Sequence, residues 1–206
     1  MTLAGMRWIV LLLAALQSSA TALGPLENSA PIPFFVQDGK GVPGFMPQDS
    51  ELATWALDAW SRESAGKLKF VETRKEDEAR IVINWVSARE GLFGETRHIS
   101  VGGKNGAVVF VIPDVEMLGA SLAARAQRDR LVRDTVVYLT CVHELGHAVG
   151  LGHTSRFADI MYSFGFGGDI VDYFMRYRVG LKSREDIRRV SGLSPADAAA
   201  LKRLYP

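Results

Sequence analysis

Two histidines four residues apart, with a glutamate beside the first, are the part of this chain best suited to chemistry: His143-Glu144-Leu145-Gly146-His147. The preceding stretch, Leu131 to Cys141, is largely apolar and free of Pro and Gly, which predicts a helix running into the motif. On a helix, His143 and His147 project from one face, where two imidazoles can take adjacent corners of a tetrahedral zinc. Glu144, next to the first ligand, can reach a water on the metal rather than the metal itself. A third ligand from the same face would need a histidine at position 150 or 151. The chain has Gly150 instead, a residue that can end a helix in the left-handed conformation and turn the chain. That turn can bring His153 back to the same ion. Three nitrogens leave a fourth position open for water, which is the catalytic rather than the structural arrangement.

The complete pattern, H-E-x-x-H-x-x-G-x-x-H from His143 to His153, is followed by Asp159-Ile160-Met161-Tyr162. The combination resembles the metzincin zinc endopeptidases, whose signature is the extended motif followed by a methionine-containing turn. Within them it is most similar to the matrixins, through Thr154 after the third histidine, the spacing to Met161, and the segment from Leu193-Ser194-Pro195-Ala196-Asp197 to Leu204-Tyr205. The resemblance implies one catalytic zinc on His143, His147 and His153. It makes Glu144 the general base, Gly150 the supporting turn and Met161 an apolar floor that is not a ligand. It also implies a peptide or protein substrate. Two other readings stand beside it: a zinc-holding interaction module without catalysis, and a hydrolase of non-peptide amides. Glu144 argues against the first, since a pure ligand site has no use for an unliganded carboxylate beside the metal.

The chain departs from the matrixin pattern in several places. Some metzincins carry a tyrosine two residues after the methionine; Tyr162 follows Met161 directly, so packing or a pocket wall is its expected role. Ser163-Phe164-Gly165-Phe166-Gly167-Gly168 stands where matrixins continue with a Pro and a Tyr, and its aromatics suggest an apolar subsite of different shape. Many matrixin domains hold a second, structural zinc and calcium. Here His98, Glu90 and Glu95 are too few to assemble either site. A single zinc is expected, calcium is not supported, and His98 reads as a surface or cleft-rim residue. The cysteine-bearing inhibitory propeptide of matrixins is also not matched.

The surrounding elements must hold this motif. Ile32 to Val36, Lys67 to Glu72, Ala79 to Val86 and Ala107 to Ile112 read as strands. Arg97 to Val101 reads as a short edge strand, bounded by glycines, to which an extended peptide can add. A helix is expected from about Asp49 to Ser64, capped by Asp49 or Ser50, with Leu52, Trp55, Ala56, Ala59 and Trp60 on its core face. Val115 to Arg133 is helix-prone with Gly119 as interruption, and either lengthens the motif helix or adds a separate one. Asp169 to Val190 is inserted relative to the matrixin pattern; surface structure is favoured over a flap near the cleft. Ser194-Pro195-Ala196-Asp197 opens a closing helix. The expected fold is α/β: a twisted, mostly parallel sheet with an antiparallel edge strand, a long active-site helix and a C-terminal helix.

Residues 1–22 read as a signal peptide, with Arg7, a short apolar run from Trp8 to Leu16, and the small-x-small pattern Ala20-Thr21-Ala22. Residues 23–206 then form one catalytic domain, secreted, periplasmic or extracellular, with no permanent membrane anchor. A formal net charge of +1 gives no case for nucleic acid as a partner, and a monomer is expected. Cys141 is the sole cysteine, so no intramolecular disulfide supports the fold, and its place in an apolar run predicts an inert buried thiol.

Overall fold

A computed structural model describes residues 24–87 and 93–206. The predicted signal segment 1–22 and Glu90 lie outside the described residues. Five strands, β1 (Ile32–Val36), β2 (Phe70–Glu72), β3 (Ile81–Trp85), β4 (Gly94–Val101) and β5 (Lys104–Val111), form one sheet in the order β2-β1-β3-β5-β4. β4 is antiparallel to β5; all other pairings are parallel. The fold is therefore the expected α/β sheet with an antiparallel edge. Central β3 is buried along nearly its whole length and is apolar except at half-buried Asn84. β4 is longer than expected, and Thr96 is its one buried residue, as suits an edge strand. Gly102 and Gly103 join β4 to β5 in a two-residue turn, both at positive φ (58° and 78°), which glycine adopts without steric cost.

Two long helices pack together against the sheet: α1 (Asp49–Glu63) and α3 (Arg130–Ala148). Their shared core includes Leu52, Ala56, Trp60, Val137 and Leu145, and the Trp60 indole N–H donates to the Val142 carbonyl at 3.0 Å. Asp49 does not cap α1. Its carboxylate is fully buried, accepts the Met46 N–H at 2.9 Å, and forms an ion pair with Arg133 of α3. A local capping role yields here to a long-range pair, because a buried guanidinium needs a counter-charge.

Gly119 interrupts the chain as expected, and the stretch up to α3 resolves into a separate helix, α2 (Ala120–Arg128). The break falls at Asp129, which leaves helical geometry (φ −138°, ψ 101°), and its carboxylate accepts the Leu131 N–H at the start of α3. Downstream lie α4 (Ile170–Arg178), α5 (Arg184–Arg189) and α6 (Pro195–Leu204). The region from Asp169 to Val190 is not merely surface structure, contrary to expectation. Tyr173, Phe174, Tyr177 and Ile187 are buried, and the Tyr177 ring stacks on Tyr138 of α3 at 5.7 Å. Aromatic residues at i, i+1 and i+4 give α4 an apolar face that α3 covers. Among the described residues no helix is long and apolar enough to cross a membrane.

Candidate metal centre

Helix α3 ends where the motif requires. Gly150 adopts φ +99°, its N–H bonds the His147 carbonyl at 2.9 Å, and the Leu151 N–H bonds the Gly146 carbonyl at 2.9 Å. These paired contacts are a Schellman termination, which glycine permits. The reversed chain brings His153 Nε2 to 3.3 Å from His143 Nε2 and 3.1 Å from His147 Nε2. Zinc held tetrahedrally at Zn–N distances of about 2.0–2.1 Å would set its ligand nitrogens about 3.3 Å apart.

The second nitrogens fix the tautomers. His143 Nδ1–H donates to the Ile160 carbonyl at 2.7 Å, and His147 Nδ1–H to the Leu151 carbonyl at 2.9 Å. Both Nε2 atoms are then bare lone pairs directed at one point, which His153 alone cannot satisfy with a single N–H. Burial, then the neighbouring imidazoles, pushes His143 down to about 3. Burial does the same to His147, to about 4, with His153 and His98 adding to it. Neutral rings with converging lone pairs are what a divalent cation needs, so the three residues fit zinc.

Met161 is buried against Gly146, between the two helical histidines in sequence. Its turn is held from two sides. The Thr154 N–H donates to the Met161 carbonyl at 2.8 Å, tying the turn to the chain just after His153. From α6, the Asp197 carboxylate accepts the Ile160 N–H at 2.7 Å and the Ser194 N–H at 2.8 Å. The helix cap visible in the sequence is thus also a clamp on the residue whose carbonyl orients His143. Tyr173 of α4 donates to that same Ile160 carbonyl at 3.0 Å. Neither clamp leaves a local sequence signal, since each partner lies far away along the chain.

Glu144 is buried beside the histidines, and burial raises its carboxyl to about 7, opposed by the Thr96 hydroxyl 2.8 Å from Oε2. Sequence reasoning missed Thr96, an ordinary strand residue by type. His98 is half-buried, two residues further along the same face of β4 as Thr96. Tyr162 packs edge-on against Phe157 and Phe164, and its hydroxyl donates to the Gly167 carbonyl at 2.7 Å, a wall role. Phe93 and Phe164 extend this aromatic wall, and Phe166 is exposed at its outer end. Cys141 is fully buried, and burial pushes its thiol far up.

The family model for matrixin matches residues 46–166, from just before α1 to just past the methionine turn. Human matrix metalloproteinase-25 is 27% identical over 164 residues, covering 72% of this chain and 28% of the relative. The chain therefore spans about a quarter of the length of the curated relative it matches.

Proposed function

The chain belongs to the matrixin family, and we propose that it is an exported zinc-dependent endopeptidase in which His143, His147 and His153 hold the metal and Glu144 is the general base. The observation that carries this reading is the convergence of three imidazole Nε2 atoms beside a buried, unliganded carboxylate. When bound, zinc supplies Lewis acidity, polarising the scissile carbonyl and lowering the pKa of water in its open position toward about 7. Beside that metal Glu144 would accept a proton from the attacking water and return it to the departing amine, so no serine or cysteine nucleophile would be required.

The substrate is proposed to be an extended peptide. β4 pairs with β5 along one edge, and among the described residues its other edge has no strand partner. A peptide added there runs along the element that carries Thr96, with its carbonyl aligned toward the metal. The aromatic wall of Tyr162, Phe164 and Phe166 supports an apolar subsite next to it. Export is proposed from the charged, apolar and small-residue pattern of residues 1–22, which makes residues 23–206 the mature catalytic domain.

The test uses protein beginning at Leu23, zinc-loaded, with a quenched fluorescent peptide library. Wild type should cleave in a chelator-sensitive way, while Glu144→Gln should keep one zinc per chain and lose about 10²–10⁴-fold in kcat. Near-normal cleavage by Glu144→Gln would remove its role. Tight zinc binding without any cleavage by wild type would instead favour a binding module.

A further inference from the structure

Glu144 is held by the sheet as well as by its own helix. Among the described residues, the one hydrogen-bond partner of its carboxylate is the Thr96 hydroxyl, 2.8 Å from Oε2. The same hydroxyl lies 2.8 Å from the Glu144 main-chain carbonyl oxygen. Its single proton thus has two acceptors on one residue, and Thr96 grips Glu144 at both backbone and side chain. The buried position of Thr96 keeps water from competing for that proton.

Gly94 supplies the other half of the seat, two residues earlier on the same face of β4. A Cβ at Gly94 would stand 2.6 Å from Glu144 Cγ and 2.7 Å from Oε1. Its φ is not in the left-handed region, so the backbone does not demand glycine there. Space for the carboxylate does. A glutamate has three rotatable bonds, and a general base must aim one oxygen at one proton. With Oε2 engaged by the hydroxyl and Oε1 lying along the bare Gly94 Cα, the freedom of the last bonds is largely gone.

We infer that Thr96 and Gly94 are positioning residues that seat the general base, leaving Oε1 to take the proton from the attacking water. This rests on the assignment of Glu144 as base made above. It also gives β4 two duties: under the proposed reading the edge turned away from β5 receives the peptide while its inner face aims the carboxylate. Substrate carbonyl and base are then set by one rigid strand, and their relative position does not depend on loop geometry.

Steady-state kinetics on zinc-loaded Thr96→Val, Thr96→Ser and Gly94→Ala, with Glu144→Gln alongside, test the inference. Thr96→Val keeps the β-branched shape that suits a strand and removes the donor. Its kcat should fall about 10-fold with KM within about 2-fold of wild type, the scale on which supporting partners act. Thr96→Ser restores the donor and should recover most of that loss. Gly94→Ala, which displaces the carboxylate sterically, should lower kcat by about 10–100-fold. A readout separate from turnover is the affinity for a phosphinic peptide, whose tetrahedral oxygens engage the base. It should weaken in Thr96→Val by about the same factor as kcat/KM, with zinc content unchanged. Wild-type kinetics in Thr96→Val, a loss confined to KM, a loss of zinc, or failure of Thr96→Ser to recover would each overturn the positioning role. Activity surviving in Glu144→Gln would instead remove the base assignment beneath it, so the two failures are distinct.

Discussion

Gly146→Ala should destabilise this protein even though it replaces glycine with the best helix former in the last turn of a long helix. The helix itself gains at most about 0.8–1.0 kcal/mol from the change, the helix-interior value. The new methyl group, however, would fall far inside van der Waals contact of Met161 Sδ, and stand 2.9 Å from Trp60 Cζ2 and 3.1 Å from Met161 Cε. Trp60 is fully buried and tied to the Val142 carbonyl through its indole N–H, so it cannot retreat. Met161 is flexible but nearly fully buried, and its turn is pinned at Ile160 by Asp197. Overpacking of this kind costs about 1–3 kcal/mol, and we expect the upper part of that range because both neighbours are enclosed. The net effect is a loss of about 1–2 kcal/mol, or roughly 2–8 °C in Tm for a domain of this size.

The same displacement reaches the three-histidine site. Any outward shift of Met161 carries the Ile160 carbonyl, which receives the His143 Nδ1–H. Zinc affinity should weaken about 10-fold, as when a ligand loses its orienting partner. Thermal unfolding of the apo protein and a competitive chelator titration read the two effects separately. In Met161→Ala the Met161 atoms are absent and only the Trp60 contact remains, so adding Gly146→Ala to that variant should cost clearly less than it does in wild type. A Tm that rises in Gly146→Ala with zinc affinity unchanged would refute the reasoning, since helix propensity alone predicts that outcome.

Three other expectations follow from the same contacts. Chelation should lower Tm, because free zinc at 100-fold its Kd adds about 2.7 kcal/mol to the folded state; an unchanged Tm on adding chelator would speak against a preformed site. Asp49→Ala leaves the Arg133 guanidinium buried without its main counter-charge and should cost about 3–5 kcal/mol in urea unfolding, whereas Asp49→Ala combined with Arg133→Met should recover part of it. The N–H groups of Lys182 and Ser183 hold the Asp186 carboxylate below its usual range. A depressed folded pKa gives stability that is present above the unfolded value and lost as pH falls through the folded one. Wild type should therefore lose more stability than Asp186→Asn below about pH 4, and parallel pH profiles would contradict it.

The grouping of His143, His147 and His153 was readable because its geometry is local. Four-residue spacing on a helix, a glycine that ends it and a return of three residues to His153 are properties of one short stretch, and neighbours alone determine them. The strands, though not their order, were readable for a related reason: buried strands read as apolar runs, and the antiparallel edge strand is bounded by a glycine pair. What did not show in the sequence is the layer that holds the site in place, and the cause is sequence distance. Asp49 at the start of a helix satisfies every local rule for a cap, yet its carboxylate is taken by Arg133, 84 residues away. Tyr173 sits in a segment outside the stretch matched by the family, and only packing on α3 turns its hydroxyl toward the carbonyl that orients His143. Thr96 is the sharpest case, because a threonine in a strand is what β-propensity favours anyway. Nothing in its type distinguishes a hydroxyl facing solvent from one facing the Glu144 carboxylate. That choice is made by the register of β4 against β5, with Thr96 opposite Val109, and by the packing of α3 across both strands. A one-residue slip would turn the hydroxyl to the outer face and bring Arg97 or Glu95 against Glu144 instead. The glycine pair at positions 102 and 103, which fixes that register through its two-residue turn, therefore has a stake in the chemistry although it touches none of the reacting groups.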